Sequence, residues 1–246
     1  RVRSIALSAD RDKLLAADAR GAVASYAFEG GTIGALVATL ENAGDSIALS
    51  PDSRFLAVTA FRKPVDVWQI DSGSILRTLA APFDVRLLVF DPTGKRLAGA
   101  GDGNAVAVWD VGRWKPRIAP VARAAAESSA AALDFSPDGR FLAAGFSDGS
   151  VAILDLRQGR ELRDCSVPDA PAFAVRFSPD GMFLATAHED KAVYVWDRET
   201  GGLRAKLEGR DKPVTSLAFS PDGRFLAAGG EDRRIVLWKA GAGAAP

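Results

Sequence analysis

A four-residue turn signature recurs along the chain at a nearly fixed interval. Its clearest form is Ser220-Pro221-Asp222-Gly223. Ser opens the turn, Pro presets φ at the second position, Asp tolerates the third, and Gly supplies a left-handed fourth. Versions begin at Ser8 (SADR), Ser50 (SPDS), Asp91 (DPTG), Ser136, Ser178 and Ser220, at successive separations of 42, 41, 45, 42 and 42 residues. Short apolar runs flank each turn, as Val214 to Phe219 and Phe225 to Gly229 flank the last. Eighteen positions after each turn begins stands a large apolar residue: Tyr26, Trp68, Trp109, Leu154, Trp196 and Trp238. A unit of this length, made of short strands and tight turns, cannot bury both faces of its sheet alone, so its copies must stack. The chain is predicted to be all-β and built from six such repeats.

Three of the large apolar positions continue into Asp, as Trp109-Asp110, Leu154-Asp155 and Trp196-Asp197. With the period, these dipeptides resemble the WD-repeat β-propeller family over essentially the whole chain. The resemblance implies six four-stranded blades, at about 2–42, 45–82, 84–128, 129–170, 171–212 and 213–240, each ending in its outer strand. The sixth has no outer strand. After Trp238 come Lys239 and the small-residue run Gly241 to Pro246, which reads as a linker to a further domain. In the family the last blade is completed from the chain's other end. The expectation is therefore a domain of a longer protein, its ring closed at six blades or continuing upstream into a seventh, with Ile235 to Trp238 as an exposed edge. The chain departs from the family at the Gly-His dipeptide, whose His joins a Ser/Thr, the turn Asp and the Trp in a hydrogen-bonded network. The Asp survives as Asp148, Asp190 and Asp232, Thr186 alone fits the Ser/Thr position, and Arg210 follows Gly209 where the His would stand. Turns and packing are expected to replace the network, as in bacterial-type relatives. The abundance of Ala, Gly and Arg points to the same source.

Charge and composition narrow the function. The 31 basic residues balance 31 acidic ones, which leaves no overall field to draw nucleic acid. No apolar run approaches the ~18 residues of a membrane span. The single Cys165 allows no internal disulfide and is expected half-buried on an outer strand. The compartment is not legible beyond a preference for the cytoplasm. Gly145-Phe146-Ser147-Asp148-Gly149 matches the G-x-S-x-G of serine hydrolases, with His188 downstream. That elbow needs a strand-to-helix turn, and this one joins two strands. The glycines from Gly99 to Gly103 open no helix, so they cradle no phosphate. One His and one Cys make no metal site. First-strand positions lack the His and carboxylates that line enzymatic propellers. No catalytic residue, metal or cofactor is expected.

Surfaces remain. The family topology puts the turns between second and third strands on one face with the loops that join blades. Phe61, Arg62, Lys63, Phe83, Phe146, His188, Arg210 and Arg233 are the candidate partner contacts there, since exposed aromatics beside arginine mark binding hot spots. The alternative is that the aromatics fold under their own loops and the arginines pair with Asp148, Asp211 and Glu231. Phe61-Arg62-Lys63-Pro64 stands out, because later copies hold Asp-Gly or Glu-Asp in that turn. The expected function is a non-catalytic protein-interaction scaffold or regulatory module of a larger protein, with a protein or peptide partner. A second reading is a sensor or substrate-recruiting domain fused to a protease or kinase. A propeller hydrolase is the third, disfavoured by the missing histidines.

Overall fold

A computed structural model of the chain describes residues 2–7, 13–18, 23–29, 32–40, 46–60, 62–70, 72–103, 105–120 and 127–239. Among these there is no helix, and the strands form five antiparallel sheets of four strands and one of three. The first sheet runs β1 (Val2–Leu7), β2 (Lys13–Asp18), β3 (Val23–Glu29), β4 (Thr32–Leu40). The second runs β5 (Ser46–Leu49), β6 (Phe55–Thr59), β7 (Val65–Gln69), β8 (Ser74–Leu79). The third runs β9 (Val85–Phe90), β10 (Arg96–Gly101), β11 (Ala105–Asp110), β12 (Pro116–Pro120). The fourth runs β13 (Ala130–Phe135), β14 (Phe141–Phe146), β15 (Val151–Asp155), β16 (Arg160–Asp164). The fifth runs β17 (Ala172–Phe177), β18 (Phe183–His188), β19 (Val193–Asp197), β20 (Leu203–Leu207). The last has three strands, β21 (Val214–Phe219), β22 (Phe225–Gly230) and β23 (Ile235–Lys239), with β23 at its edge as expected.

The recurrent turn closes each first hairpin by local chemistry. In the last copy Gly223 N–H donates to the Ser220 carbonyl at 2.8 Å, and Phe225 N–H donates to Ser220 Oγ at 2.9 Å. The Ser220 hydroxyl donates to Asp222 Oδ1 at 2.6 Å. The copies at Ser136 and Ser178 repeat all three bonds. In the copy at Asp91 the carboxylate takes over the serine's part and accepts from Arg96 N–H at 2.7 Å. Gly139, Gly181 and Gly223 sit at φ of 66°, 68° and 70°, the left-handed region the sequence assigns them. The degenerate turn at Ser8 and the run after Lys239 lie outside the described residues.

The chain divides into two compact units, Arg1–Asp102 with Ala107–Ile118, and Gly103–Val106 with Ala119–Pro246. In the first, Ala48, Ala57, Val65, Val67 and Leu79 of the second sheet pack against Val85, Phe90, Leu97 and Trp109 of the third. The second unit stacks its sheets in the same way. Ala132, Ala143, Val151 and Ile153 of the fourth sheet meet Ala172, Val175, Leu184 and Trp196 of the fifth. Ala174, Ala185, Ala187 and Val193 of the fifth meet Val214, Leu217, Leu226 and Ala228 of the sixth. Cys165 corrects its expectation: it lies just beyond β16 and is fully buried, and burial first, then the Asp164 charge, pushes its thiol up to about 12.

Candidate partner-binding cleft

The hairpin between β6 and β7 turns through Arg62-Lys63-Pro64. Lys63 N–H donates to the Ala60 carbonyl at 3.0 Å, and Arg62 takes a φ of 57°. That left-handed conformation is costly for a residue with a Cβ, and the matching position of the third sheet holds Gly103, at φ 85°. Beside it, residues 80–84 carry the chain from β8 to β9. Phe83 is half-buried on the core formed by the second and third sheets. Two bonds hold this loop. Asp102 N–H donates to the Asp84 carbonyl at 3.1 Å, and the Thr59 hydroxyl donates to the Val85 carbonyl at 2.8 Å in a buried setting. Position 101 must be glycine here, because a Cβ on Gly101 would lie 1.8 Å from the Asp84 carbonyl oxygen.

Turn and loop together enclose a cleft of about 310 Å³. Buried Val65 and Val85 form its floor, and Ala80, Ala81, Pro82 and Phe83 form its wall. Arg62 and Lys63 stand exposed at its rim with Pro64. Asp84 is the one carboxylate among the lining residues. Arg86, next along the chain, is paired to Asp102 at 2.7 Å. The cleft thus offers apolar walls and a cationic lip.

Three of the eight predicted contacts come together here: Arg62, Lys63 and Phe83. Phe61 lies outside the described residues. Arg233 is exposed at the β22–β23 turn of the second unit, at φ 62°, and does not line the cleft. Phe146, His188 and Arg210 correct the expectation of exposure. Phe146 and His188 end β14 and β18, and each is completely buried. β14 is buried at every position and β18 at every position after Phe183, so both faces of these strands are covered and their last residues are buried with the rest.

Arg210 is also buried, and it pairs with Asp232 at 2.7 Å, not with the carboxylates expected. It donates a second bond to the Arg234 carbonyl at 3.1 Å. The expectation that packing replaces the polar network needs the same revision. His188 Nδ1 lies 2.8 Å from the Ala170 carbonyl, and Nε2 lies 2.9 Å from the Thr186 hydroxyl, which also accepts from Trp196 Nε1 at 2.9 Å. Burial pushes the His188 pKa down, against the Ala170 bond and the Asp190 charge. The histidine has moved from the inter-blade loop to the end of the second strand, and in the sixth sheet an arginine fills the gap. Sequence reasoning missed Ala80, Ala81 and Pro82 as cleft walls; their only signal was a run of small residues and a Pro between two strands.

Comparison with known proteins completes the description. The family model described as WD domain, G-beta repeat matches residues 160–197 and 201–239. The anaphase-promoting complex subunit 4 WD40 domain matches residues 107–172. Eukaryotic translation initiation factor 3 subunit I of Lodderomyces elongisporus is 28% identical over 131 residues, covering 48% of this chain and 37% of that protein. WD repeat-containing protein VIP3 of Arabidopsis thaliana is 29% identical over 138 residues, covering 51% and 43%. Protein groucho of Drosophila melanogaster is 31% identical over 122 residues, covering 48% and 16%. The matched stretch spans less than half the length of each of these relatives. They come from a yeast, a plant and a fly, so a bacterial type of repeat has no support among them. With its recurrent turns, its four-stranded antiparallel sheets and these matches over 107–197 and 201–239, the chain belongs to the WD-repeat family.

Proposed function

We propose that the chain is a non-catalytic protein-interaction module, and that a partner docks at the cleft of Arg62, Lys63 and Phe83. The observation that carries this reading is the cleft itself, where exposed Arg62 and Lys63 stand beside apolar walls that include half-buried Phe83. The left-handed backbone at Arg62 does not single the turn out, since Lys191 and Arg233 take φ of 71° and 62° in the β18–β19 and β22–β23 turns. What distinguishes it is the apolar recess next to the cations. Apolar surface beside exposed cationic side chains is the composition that binding surfaces favour. The names of the similar proteins fit the reading, since one is a subunit of a translation initiation factor and one matched domain belongs to a subunit of the anaphase-promoting complex.

The test is site-directed cross-linking in the source cells. A photoreactive benzoylphenylalanine replaces Lys63 in one version of the chain and the exposed Arg157 of the second unit in another. A discrete protein adduct from position 63 and none from position 157 is expected. Adducts from 157 alone, or from neither position, would remove the cleft from the function.

A further inference from the structure

We infer that the open edge of the sixth sheet takes an extended segment of a second protein, which adds to β23 as a fourth strand and sets an acidic residue against Lys239. The site belongs to the second unit and does not depend on the cleft. Five sheets have four strands and the sixth has three, so β23 presents the backbone groups that pair with a fourth strand in the others. Among the described residues no strand is spare. β1, the first along the chain, already pairs with β2 inside a four-stranded sheet, so it is not the donor. Residues 240–246 are all Ala, Gly or Pro and bring no acid.

The fifth sheet shows what a fourth strand meets. There β19 pairs with β20 through Val193 opposite Leu207, Tyr194 opposite Lys206, Val195 opposite Ala205 and Trp196 opposite Leu203. Arg204 reaches the carboxylate of Asp197 at 2.7 Å, and Lys206 lies over the Tyr194 ring. Both cations answer residues that β23 lacks, since its counterparts of Tyr194 and Asp197 are Val236 and Lys239. β11, β15 and β19 all end in Asp, whereas β23 ends in an exposed Lys with no ion pair among the described residues. Arg233, in the turn before β23, is also exposed and without an ion pair. A strand that fits this edge therefore inverts β20. It carries an acid where Arg204 stands and an apolar residue where Lys206 stands, with apolar residues opposite Leu237 and Ile235, which are 61% and 75% exposed. The acid that follows β20, Glu208, has a use here too, because it falls level with the turn of Arg233 and Arg234. A second copy's β23 fits less well, since antiparallel pairing brings its Arg233 and Arg234 up to Lys239.

The experiment adds a fluorescein-labelled peptide, Gly-Gly-Leu-Glu-Ala-Val-Leu-Glu-Gly-Gly, to the whole chain and reads polarisation. Its core is residues 203–208 with the changes Arg204→Glu and Lys206→Val. Saturable binding is expected. The same peptide with Arg in place of its first Glu should bind roughly fivefold more weakly, the size of one exposed ion pair. The Lys239→Glu variant should reverse that order and take the Arg peptide better, with the melting curve of the wild type, because residue 239 is exposed. Backbone amides of β23 should exchange with solvent more slowly when the peptide is bound. Binding of neither peptide would overturn the proposal, and so would a preference that Lys239→Glu leaves unchanged. A chain that sediments as a dimer, becomes a monomer with Ile235→Asp and takes no peptide holds a second copy on this edge, which overturns it as well. None of these outcomes bears on the cleft.

Discussion

The fifth and sixth sheets are near-copies in sequence and opposites in burial. Residues 172–197 and 214–239 align without a gap and share Phe, Ser-Pro-Asp-Gly, Phe-Leu-Ala, Glu-Asp and the Trp at matching positions. Yet Val193 is wholly buried whereas its counterpart Ile235 is 75% exposed, and Leu237 is 61% exposed where Val195 is half-buried. The strands pair in the same register, Ala187 opposite Val193 and Gly229 opposite Ile235. What differs is the neighbour. The sixth sheet covers the face of the fifth that carries Ala174, Ala185, Ala187 and Val193, and the corresponding face of the sixth stays open. Whether a residue is core is therefore a property of a pair of sheets and not of a strand, as expected where stability comes from repeat-to-repeat interfaces.

The strongest way to break this comparison is to place one charge on each face. Val193→Asp puts a carboxylate into the buried interface and should cost roughly 4 kcal/mol or more. Ile235→Asp should change stability by less than about 0.5 kcal/mol, because the side chain already meets water. It should also reduce self-association through the apolar edge strand. Urea unfolding with light scattering on the same samples reads both. Equal losses of stability would mean that Ile235 is covered in solution.

The next largest effect concerns the polar anchors. In the fifth sheet the anchor is neutral, His188 bonded to Ala170 and Thr186; in the sixth it is ionic, Arg210 on Asp232, with side chains 1% and 8% exposed. Removing one member of a buried ion pair strands the other charge, so Arg210→Ala should cost about 3 kcal/mol or more. His188→Ala leaves neutral groups unpaired and should cost about 1–3 kcal/mol. The reverse order in chemical denaturation would show that Asp232 reaches solvent once its arginine is gone.

A smaller contrast is pH-dependent. Asp134 of the fourth sheet accepts a bond from Phe177 N–H of the fifth at 2.7 Å, and the matching position of the sixth sheet is the exposed Ala218. Burial pushes the Asp134 pKa up to about 6 from 3.8, against the Arg176 charge and the bond from Phe177. The folded protein then holds this proton where the unfolded chain releases it, so the contribution to stability falls as pH rises from about 4 to 6. Asp134→Asn, whose side-chain oxygen still accepts from Phe177, should remove that fall and gain roughly 2 kcal/mol at pH 7. The difference between the two profiles isolates this carboxyl, because His188, its pKa pushed down by burial, acts with the opposite slope. Parallel profiles would mean that Asp134 is ionised freely in the fold.

The sequence disclosed what is local and hid what depends on neighbours. The Ser-Pro-Asp-Gly turns, the strand order and the three-stranded form of the last sheet among the described residues follow from short-range chemistry, and they are legible in the sequence. Phe146 and His188 were misread because Gly-x-Ser-Asp-Gly and His-Glu-Asp resemble turns from their first residue. Each strand in fact runs one residue further, and neighbouring sheets cover it on both faces, so its last side chain is buried too. Arg62 and Lys63 could be found because they break the pattern of their own turn. That Phe83 shares a cleft with them depends on the stacking of the second and third sheets. The walls at Ala80 and Ala81 carry no distinctive side chain at all.

The smallest predicted effect asks whether the turns share in the contrast. Gly181 and Gly223 occupy the same place in the fifth and sixth sheets, at φ 68° and 70°, within the same set of local hydrogen bonds. A methyl group added at Gly181 would lie 3.3 Å from Pro137 Cδ, and one at Gly223 would lie 3.8 Å from Pro179 Cδ. Both distances leave room or need only a slight shift, so backbone conformation decides the cost. Alanine in the left-handed region should lose about 1 kcal/mol at either site, with Gly181→Ala worse by a few tenths. Near-equal shifts in the unfolding midpoint would separate the two levels of the structure, turns fixed by their own residues and faces by the adjoining sheet. A negligible loss at Gly223 beside a full loss at Gly181 would show instead that the terminal turn relaxes out of the left-handed region, and that the open face extends its effect into the hairpin.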